Sequence, residues 1–165
     1  RGGRNRAEIA GSRIGLAPSE PWEVGVRMGE QVDWETLRRA AVSAATHSYS
    51  PYSHFPVGVA GVVDDGRTVW GANIENASYG LTLCAECSMV SSLYATGGGR
   101  LTAVYCVDGN GGPLMPCGRC RQLLYEHGGP DLAVMTPQGV QTMAQILPQA
   151  FGPWDLEERT PAHGQ

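Results

Sequence analysis

Four of the five cysteines in this 165-residue chain fall in two short segments, each predicted to begin a helix. "CAEC" places Glu86 between Cys84 and Cys87, and "PCGRC" places Cys117 and Cys120 three positions apart. Residues three apart on the first helical turn share a face, so their thiolates can converge on one metal ion. The N–H groups and dipole of a helix N-terminus also favour the thiolate form. The two segments together predict a zinc site.

Two kinds of zinc site are compatible with these residues. A closed structural site would use all four cysteines as ligands. A catalytic site would use Cys84, Cys117 and Cys120, and would leave the fourth position to water. Glu86 then lies beside the open position, where a carboxylate can transfer protons. We favour the catalytic site, because a closed tetrahedron has no use for Glu86; Cys87 is then a small buried residue. A redox pair of Cys117 and Cys120 is a weaker alternative.

Cys-x-Glu followed by Pro-Cys-x-x-Cys is the three-cysteine form of the zinc deaminase motif. The segments "YSPYSHFPVGVA", "GANIENASYGLTLCAEC", "MPCGRCRQLL" and "ILPQAFGPWDL" add to it in a matching order. From about Asp33 to Leu156 the chain resembles the small, homotetrameric, zinc-dependent cytidine deaminases of the three-cysteine type. The resemblance implies hydrolytic deamination of cytidine and 2′-deoxycytidine to the uridine products, with release of ammonia, in pyrimidine salvage. It also implies one zinc per subunit, Glu86 as catalytic acid and base, and active sites shared between the subunits of a homotetramer.

Asn73 and Glu75 are the predicted ribose-binding residues. They lie two positions apart at the end of a predicted strand, so their side chains project to the same side. By the resemblance they hold the sugar hydroxyls; the alternative is that both are polar strand-end residues facing water.

The predicted contacts to the base also come from the resemblance. Phe55 lines the pyrimidine pocket, Phe151 reaches the base bound in a neighbouring subunit, the Ala85 backbone contacts the base, and Tyr79 lies near the pocket. Stacking on a base contributes ~1–3 kcal/mol. Phe55 and Phe151 are the only phenylalanines of the chain, and the alternative for each is a place in the core.

The chain departs from the family pattern at Cys87. Many relatives have an arginine there, which donates to the cysteine sulfurs and offsets the charge of three thiolates. Arg119 and Arg121 are the candidates to replace that arginine. We expect Cys106 to be a core residue in an apolar strand, and we expect His47, His54, His127 and His163 not to bind metal.

Composition argues against several other functions. The net charge of −4 and the absence of a basic stripe disfavour a nucleic-acid substrate. No apolar run approaches the ~20 residues of a membrane helix, and an odd number of cysteines without a leader favours the cytoplasm. The nearest enzymatic alternative is a deaminase of blasticidin-type nucleoside antibiotics, which Glu75 disfavours because it is expected where a ribose is held.

The elements that position these residues follow from periodicity and turn residues. We predict a helix from Asp33 to about His47, then a hairpin around "DDG", and a cysteine helix from Cys84 to about Thr96. The strand "LTAVYCVD", a second cysteine helix from Pro116 to Gly128, the strand "LAVMT" and a closing helix "MAQILPQAF" complete the order. This order predicts a three-layer α/β/α fold with a mixed sheet of about five strands.

We predict three regions along the chain. Residues 1–32 form an N-terminal extension without a sustained apolar period, residues 33–156 form the catalytic domain, and residues 157–165 form a tail.

Overall fold

The structure is a computed structural model that describes residues 32–159, with side chains described as far as Leu156. The predicted extension, residues 1–32, lies outside the described residues except for Val32, and so does His163. The described elements follow in the order α1 (Trp34–Ala45), β1 (Gly58–Val63), β2 (Thr68–Ala72), a 3₁₀ turn (Tyr79–Leu81), α2 (Ala85–Ala95), β3 (Leu101–Val107), α3 (Gly118–Gly128), β4 (Ala133–Thr136), β5 (Gly139–Thr142), α4 (Met143–Ile146) and α5 (Pro153–Arg159).

The five strands form one mixed sheet in the order β2-β1-β3-β4-β5. Strand β1 pairs antiparallel with both β2 and β3, whereas β3 and β4 are parallel and are joined through α3. Strand β5 returns antiparallel to β4. A parallel pair requires a long crossover connection, and the second cysteine helix provides it. The predicted mixed α/β sheet is confirmed.

The two faces of the sheet bury two separate apolar clusters. On one face, Leu37 and Ala41 of α1 pack against Ala103, Tyr105 and Val107 of β3 and their neighbours. On the other face, α2, α3 and α4 pack against the alternate residues of the same strand. The architecture is therefore the predicted three layers, with both cysteine helices on one side of the sheet.

Close packing of α2 on β2 depends on Gly71. A Cβ at this position would overlap the backbone of Ala85 and Met89. Glycine therefore lets the first turn of α2 lie directly against the sheet, and this turn carries Glu86. The start of the first cysteine helix is thus held by backbone contact with an edge strand.

The C-terminal part of the fold differs from the prediction. The closing helix was expected over "MAQILPQAF", but α4 ends at Ile146. Pro148 explains the difference, because the residue before a proline avoids the α-helical region; Leu147 has φ −141° and ψ 69°. Strand β5 and helix α5 were not predicted individually. The residues of β5 are exposed or half-buried, so they lack the apolar alternation that marks a strand.

Among the described residues, no helix combines the length and the apolar character needed to span a membrane.

Candidate active site

The three predicted metal ligands meet where the two cysteine helices begin. Cys84 is the N-cap residue of α2 and Cys117 is the N-cap residue of α3, while Cys120 lies one turn into α3. Their Sγ atoms all lie within 4.8 Å of one another. Cys120 is fully buried, Cys84 is half-buried and Cys117 is exposed. The site is therefore open on the Cys117 side and closed on the Cys120 side.

This group of sulfurs fits a zinc ion. With Zn–S bonds of about 2.3 Å and tetrahedral angles, three thiolates lie ~3.8 Å apart. The observed limit of 4.8 Å needs only a small contraction. Thiolate sulfurs are soft ligands that bind zinc in preference to magnesium or calcium, which favour oxygen ligands. Three protein ligands also leave one coordination position of the metal open. The donor set is that of a catalytic site.

Cys87 does not belong to the sulfur cluster. The cluster of possible metal ligands within the described residues contains Cys84, Cys117 and Cys120, without Cys87. The Cys87 Sγ instead accepts a hydrogen bond from Nη2 of Arg119 at 3.3 Å. It is half-buried rather than buried as predicted. The geometry therefore favours the three-cysteine site over the closed four-cysteine site.

The two candidate replacements for the missing arginine lie in different places. Arg119 donates to Cys87, and its pKa is raised by that hydrogen bond first and then by the charges of Cys87, Cys84 and Cys120. Arg121 donates from Nη1 to the Ile146 carbonyl at 2.7 Å. Neither described hydrogen bond reaches a ligand sulfur, but the positive charge of Arg119 acts on the cluster across space.

Glu86 is enclosed by thiols. Its side chain is 3% exposed, in the first turn of α2. The Sγ of Cys106 lies 3.9 Å from its Oε1, and, alongside burial, the charge of Glu86 helps to raise the pKa of Cys120. Sequence reasoning placed Cys106 in the core and gave it no further role. It is 1% exposed, so that placement was right, but its contact with Glu86 was missed.

The ligand thiols differ in their electrostatic surroundings. Burial raises the pKa of Cys84, and burial followed by the charge of Glu86 raises the pKa of Cys120. Burial alone would also raise the pKa of Cys117, but hydrogen bonds from the Cys120 N–H and thiol lower it overall. Zinc ligands must be thiolates, so metal binding displaces protons from this site.

The predicted ribose residues are connected to the metal ligands by backbone hydrogen bonds. Ile74 exchanges two hydrogen bonds with Leu83, the residue before Cys84, at 3.0 and 2.9 Å. The same segment pairs with Tyr49, since Tyr49 N–H donates to the Asn73 carbonyl and Glu75 N–H donates to the Tyr49 carbonyl. Asn73 and Glu75 therefore flank Ile74 in a segment whose backbone is hydrogen-bonded to Leu83 on one side and to Tyr49 on the other.

The side chains of Asn73 and Glu75 organise the loop between α1 and β1. Oδ1 of Asn73 accepts from the Val57 N–H at 2.8 Å, and its Nδ2 donates to the Phe55 carbonyl at 3.0 Å. Oε2 of Glu75 accepts from the N–H groups of Tyr52 and Ser53 at 2.8 and 3.2 Å. Hydrogen bonds from Ser53 and Tyr52 lower the pKa of Glu75, so it stays ionised.

The predicted aromatic residues are all on the surface. Phe55, Tyr79 and Phe151 are exposed, so the alternative that the phenylalanines are core residues is wrong. Tyr79 packs edge-on against Tyr52, with ring centroids 6.0 Å apart. Ala85 is fully buried and is the first residue of α2. Its N–H is therefore one of the groups at a helix start that have no partner within the helix.

The histidines within residues 32–156 take no part in the sulfur cluster. Of those within the described residues, His47 stacks on Trp70 and His127 contacts the hydroxyl of Tyr94. His54 has a positive φ of 55° in the loop before Phe55. None belongs to the group of possible metal ligands in residues 32–156.

Known proteins with similar sequences or structures include cytidine deaminases. Residues 32–136 match the family model described as the cytidine and deoxycytidylate deaminase zinc-binding region. A cytidine deaminase of Mycobacterium tuberculosis is 58% identical over 125 residues, which cover 76% of this chain and 94% of that protein. A cytidine deaminase of Halalkalibacterium halodurans is 39% identical over 132 residues, covering 77% of this chain and all of that protein.

Solved structures agree with the sequence comparisons. The crystal structure of cytidine deaminase from Mycobacterium leprae has 76% identity and a TM-score of 0.72, covering 72% of this chain and 100% of that one. The cytidine deaminase from Mycobacterium tuberculosis superposes with a TM-score of 0.72 and covers 74% of this chain and 99% of that one. The family match spans both cysteine segments and most of the sheet. The chain belongs to the zinc-dependent cytidine and deoxycytidylate deaminase family.

Proposed function

We propose that this protein hydrolyses cytidine and 2′-deoxycytidine to uridine and 2′-deoxyuridine, with Cys84, Cys117 and Cys120 as zinc ligands and Glu86 as the proton carrier. The observation that carries the proposal is the group of three sulfurs within 4.8 Å of one another beside a buried glutamate. A site with three protein ligands and an adjacent carboxylate is built for hydrolysis rather than for structural support.

Cys84, Cys117 and Cys120 would hold the zinc ion, which would supply a water activated for attack at neutral pH. Glu86 accepts one proton from that water while the oxygen forms a bond to C4, and it passes this proton to N3 of the ring. The second water proton then travels through Glu86 to the exocyclic amine. The C4–N bond breaks, ammonia leaves, and C4 keeps the oxygen as a carbonyl. Both protons of the water are thereby accounted for, and Glu86 ends as it began, as a carboxylate.

Ribose recognition falls to Asn73 and Glu75. The Asn73 amide has a second N–H beyond the one donated to Phe55. The ionised carboxylate of Glu75 retains acceptor sites beyond those filled by Tyr52 and Ser53. An N–H donor beside a carboxylate acceptor matches a pair of sugar hydroxyls. Their hydrogen bonds to the loop hold both groups in place before substrate arrives, which lowers the entropy cost of binding.

The exposed aromatic residues support a site that is shared between subunits. We assign Phe55, Tyr79 and the Ala85 backbone to the base pocket of the same subunit. Phe151 is assigned to a neighbouring subunit's pocket in a homotetramer. Exposed apolar side chains surround the site segments, and such patches mark protein interfaces; they are Tyr49, Tyr52, Ile74, Leu81, Leu83 and Met115. Light scattering at assay concentrations tests the assembly, and a fully active monomer would refute it.

Purified protein should release ammonia from cytidine and deoxycytidine, and the change in ultraviolet absorbance monitors this reaction. The protein should also contain one zinc per chain. Blasticidin S is the comparison substrate, and faster turnover of it would replace our assignment with the antibiotic deaminase. Glu86→Gln should keep zinc and lose about 10² to 10⁴ in kcat. A zinc-loaded Glu86→Gln protein with full turnover would contradict the mechanism.

We place the enzyme in the cytoplasm because all five cysteines are free thiols.

A further inference from the structure

Cys106 faces the carboxylate of Glu86 from the central strand of the sheet. Its Sγ lies 3.9 Å from Oε1 of Glu86, across 20 residues of sequence. Both side chains are buried, at 1% and 3% exposure. The contact joins β3 to the first turn of α2 at the carboxylate that carries the protons.

A buried carboxylate needs hydrogen-bond donors, since its desolvation is otherwise costly. The ion pairs within residues 32–156 are Arg38–Glu35 and Arg67–Asp65, so Glu86 is not held by a cation there. The side-chain contact described for Glu86 is with the Cys106 thiol, and the charge of Glu86 also acts on the Cys120 thiol. As a zinc ligand Cys120 is a thiolate and has no proton to donate. Cys106 is outside the ligand group, so metal binding does not require the loss of its S–H proton.

We propose that Cys106 is a positioning residue, whose thiol donates a hydrogen bond to Oε1 of Glu86 and holds this carboxylate toward the open side of the metal site. Burial and the charge of Glu86 raise the pKa of Cys106 well above its usual value, so the donor proton is retained. The inference rests on the proposed deaminase function, because it concerns how Glu86 is aimed during the reaction.

The kinetic test compares Cys106→Ala with Val104→Ala in the zinc-loaded enzyme. Val104 is fully buried two residues earlier on the same face of β3, in the same apolar cluster. Cys106→Ala should lower kcat about tenfold, the effect of losing one hydrogen bond to a charged group, with KM and zinc content within twofold of wild type. Val104→Ala should lower the melting temperature but leave kcat within twofold. If Cys106→Ala does not fold, Cys106→Val fills the space without a donor and should show the same loss.

A spectroscopic test separates this inference from the proposed function. In the zinc-loaded protein, infrared spectra should contain an S–H stretching band that Cys106→Ala removes and that Glu86→Gln moves to higher frequency. A band that Glu86→Gln leaves in place overturns the hydrogen bond, and equal kcat in Cys106→Ala and wild type overturns its role. A wild-type enzyme without turnover overturns the proposed function, whatever the band does.

Discussion

The side-chain amide of Gln122 donates a hydrogen bond to the backbone carbonyl of Phe151 at 2.8 Å. Gln122 lies two residues after Cys120 in α3, so the metal-binding helix also holds the segment that carries an exposed aromatic ring. Arg121 acts similarly on the start of this segment, through the Ile146 carbonyl. The helix therefore connects the proposed metal site with the proposed contact to a neighbouring subunit's base.

Gln122→Ala should raise KM for cytidine about fivefold with little change in kcat. The loss of one hydrogen bond, ~1 kcal/mol, loosens the loop that carries Phe151 but leaves the metal site in place. Steady-state kinetics and zinc content measure both effects. Glu126→Ala is the matched control, since Glu126 is exposed on the same helix. Unchanged KM in Gln122→Ala would show that the loop holds Phe151 without this hydrogen bond.

Cys84→Ala and Cys87→Ala should separate the two kinds of zinc site. Cys84 is one of the three clustered sulfurs, so its loss should abolish tight zinc binding and activity together. Cys87 contacts Arg119 instead, so Cys87→Ala should keep one zinc per chain and kcat within a few-fold of wild type. Zinc quantitation after dialysis against a chelator provides the measurement. Loss of zinc from Cys87→Ala would restore the four-cysteine hypothesis.

Gly71→Ala should destabilise the protein by about 1 to 3 kcal/mol, because the new methyl group overlaps the backbone of α2. We expect the melting temperature to fall by several degrees and kcat to fall with it, since the displaced turn carries Glu86. Gly80→Ala is the control, because a Cβ at Gly80 meets nothing within 4 Å. Equal melting temperatures for the two variants would mean that α2 moves away from β2 at little cost.

The carboxylate of Glu75 should make part of the stability pH-dependent. Its folded-state pKa lies below the usual value of 4.5, through the hydrogen bonds of Ser53 and Tyr52. A lowered pKa contributes stability that is present above pH 4.5 and is lost as the pH falls through the folded-state value. Glu75→Gln still accepts hydrogen bonds but does not ionise. Its melting temperature should therefore decline less than that of wild type when the pH falls from about 6 to 4. Parallel declines would show that the loop does not depend on the charge.

The motifs and local signals in the sequence were enough to predict the cysteine cluster and most of the fold. Cysteine spacing, Pro116 and the glycines after each helix act over a few residues, so helices α2 and α3 and the hairpin around Gly66 were predicted close to their observed bounds. Two parallel strands need a long crossover connection, which is usually a helix. The order strand, helix, strand around α3 therefore predicted that these two strands are parallel. Cys117 and Cys120 share a helical face by their spacing, whereas Cys84 was assigned to the same site through the zinc deaminase motif; the three sulfurs do converge.

Only the tertiary structure decided which neighbours these residues have. β3 is apolar on both faces, so alternation of residue type cannot tell which face Cys106 shares with Glu86. Cys87 was compatible with ligation by spacing, but its side chain contacts Arg119, which follows from the way α2 and α3 pack together. The hydrogen bond from Gln122 to Phe151 depends on where the chain turns after Pro148. Contacts between distant segments depend on packing directions that no short stretch of sequence encodes.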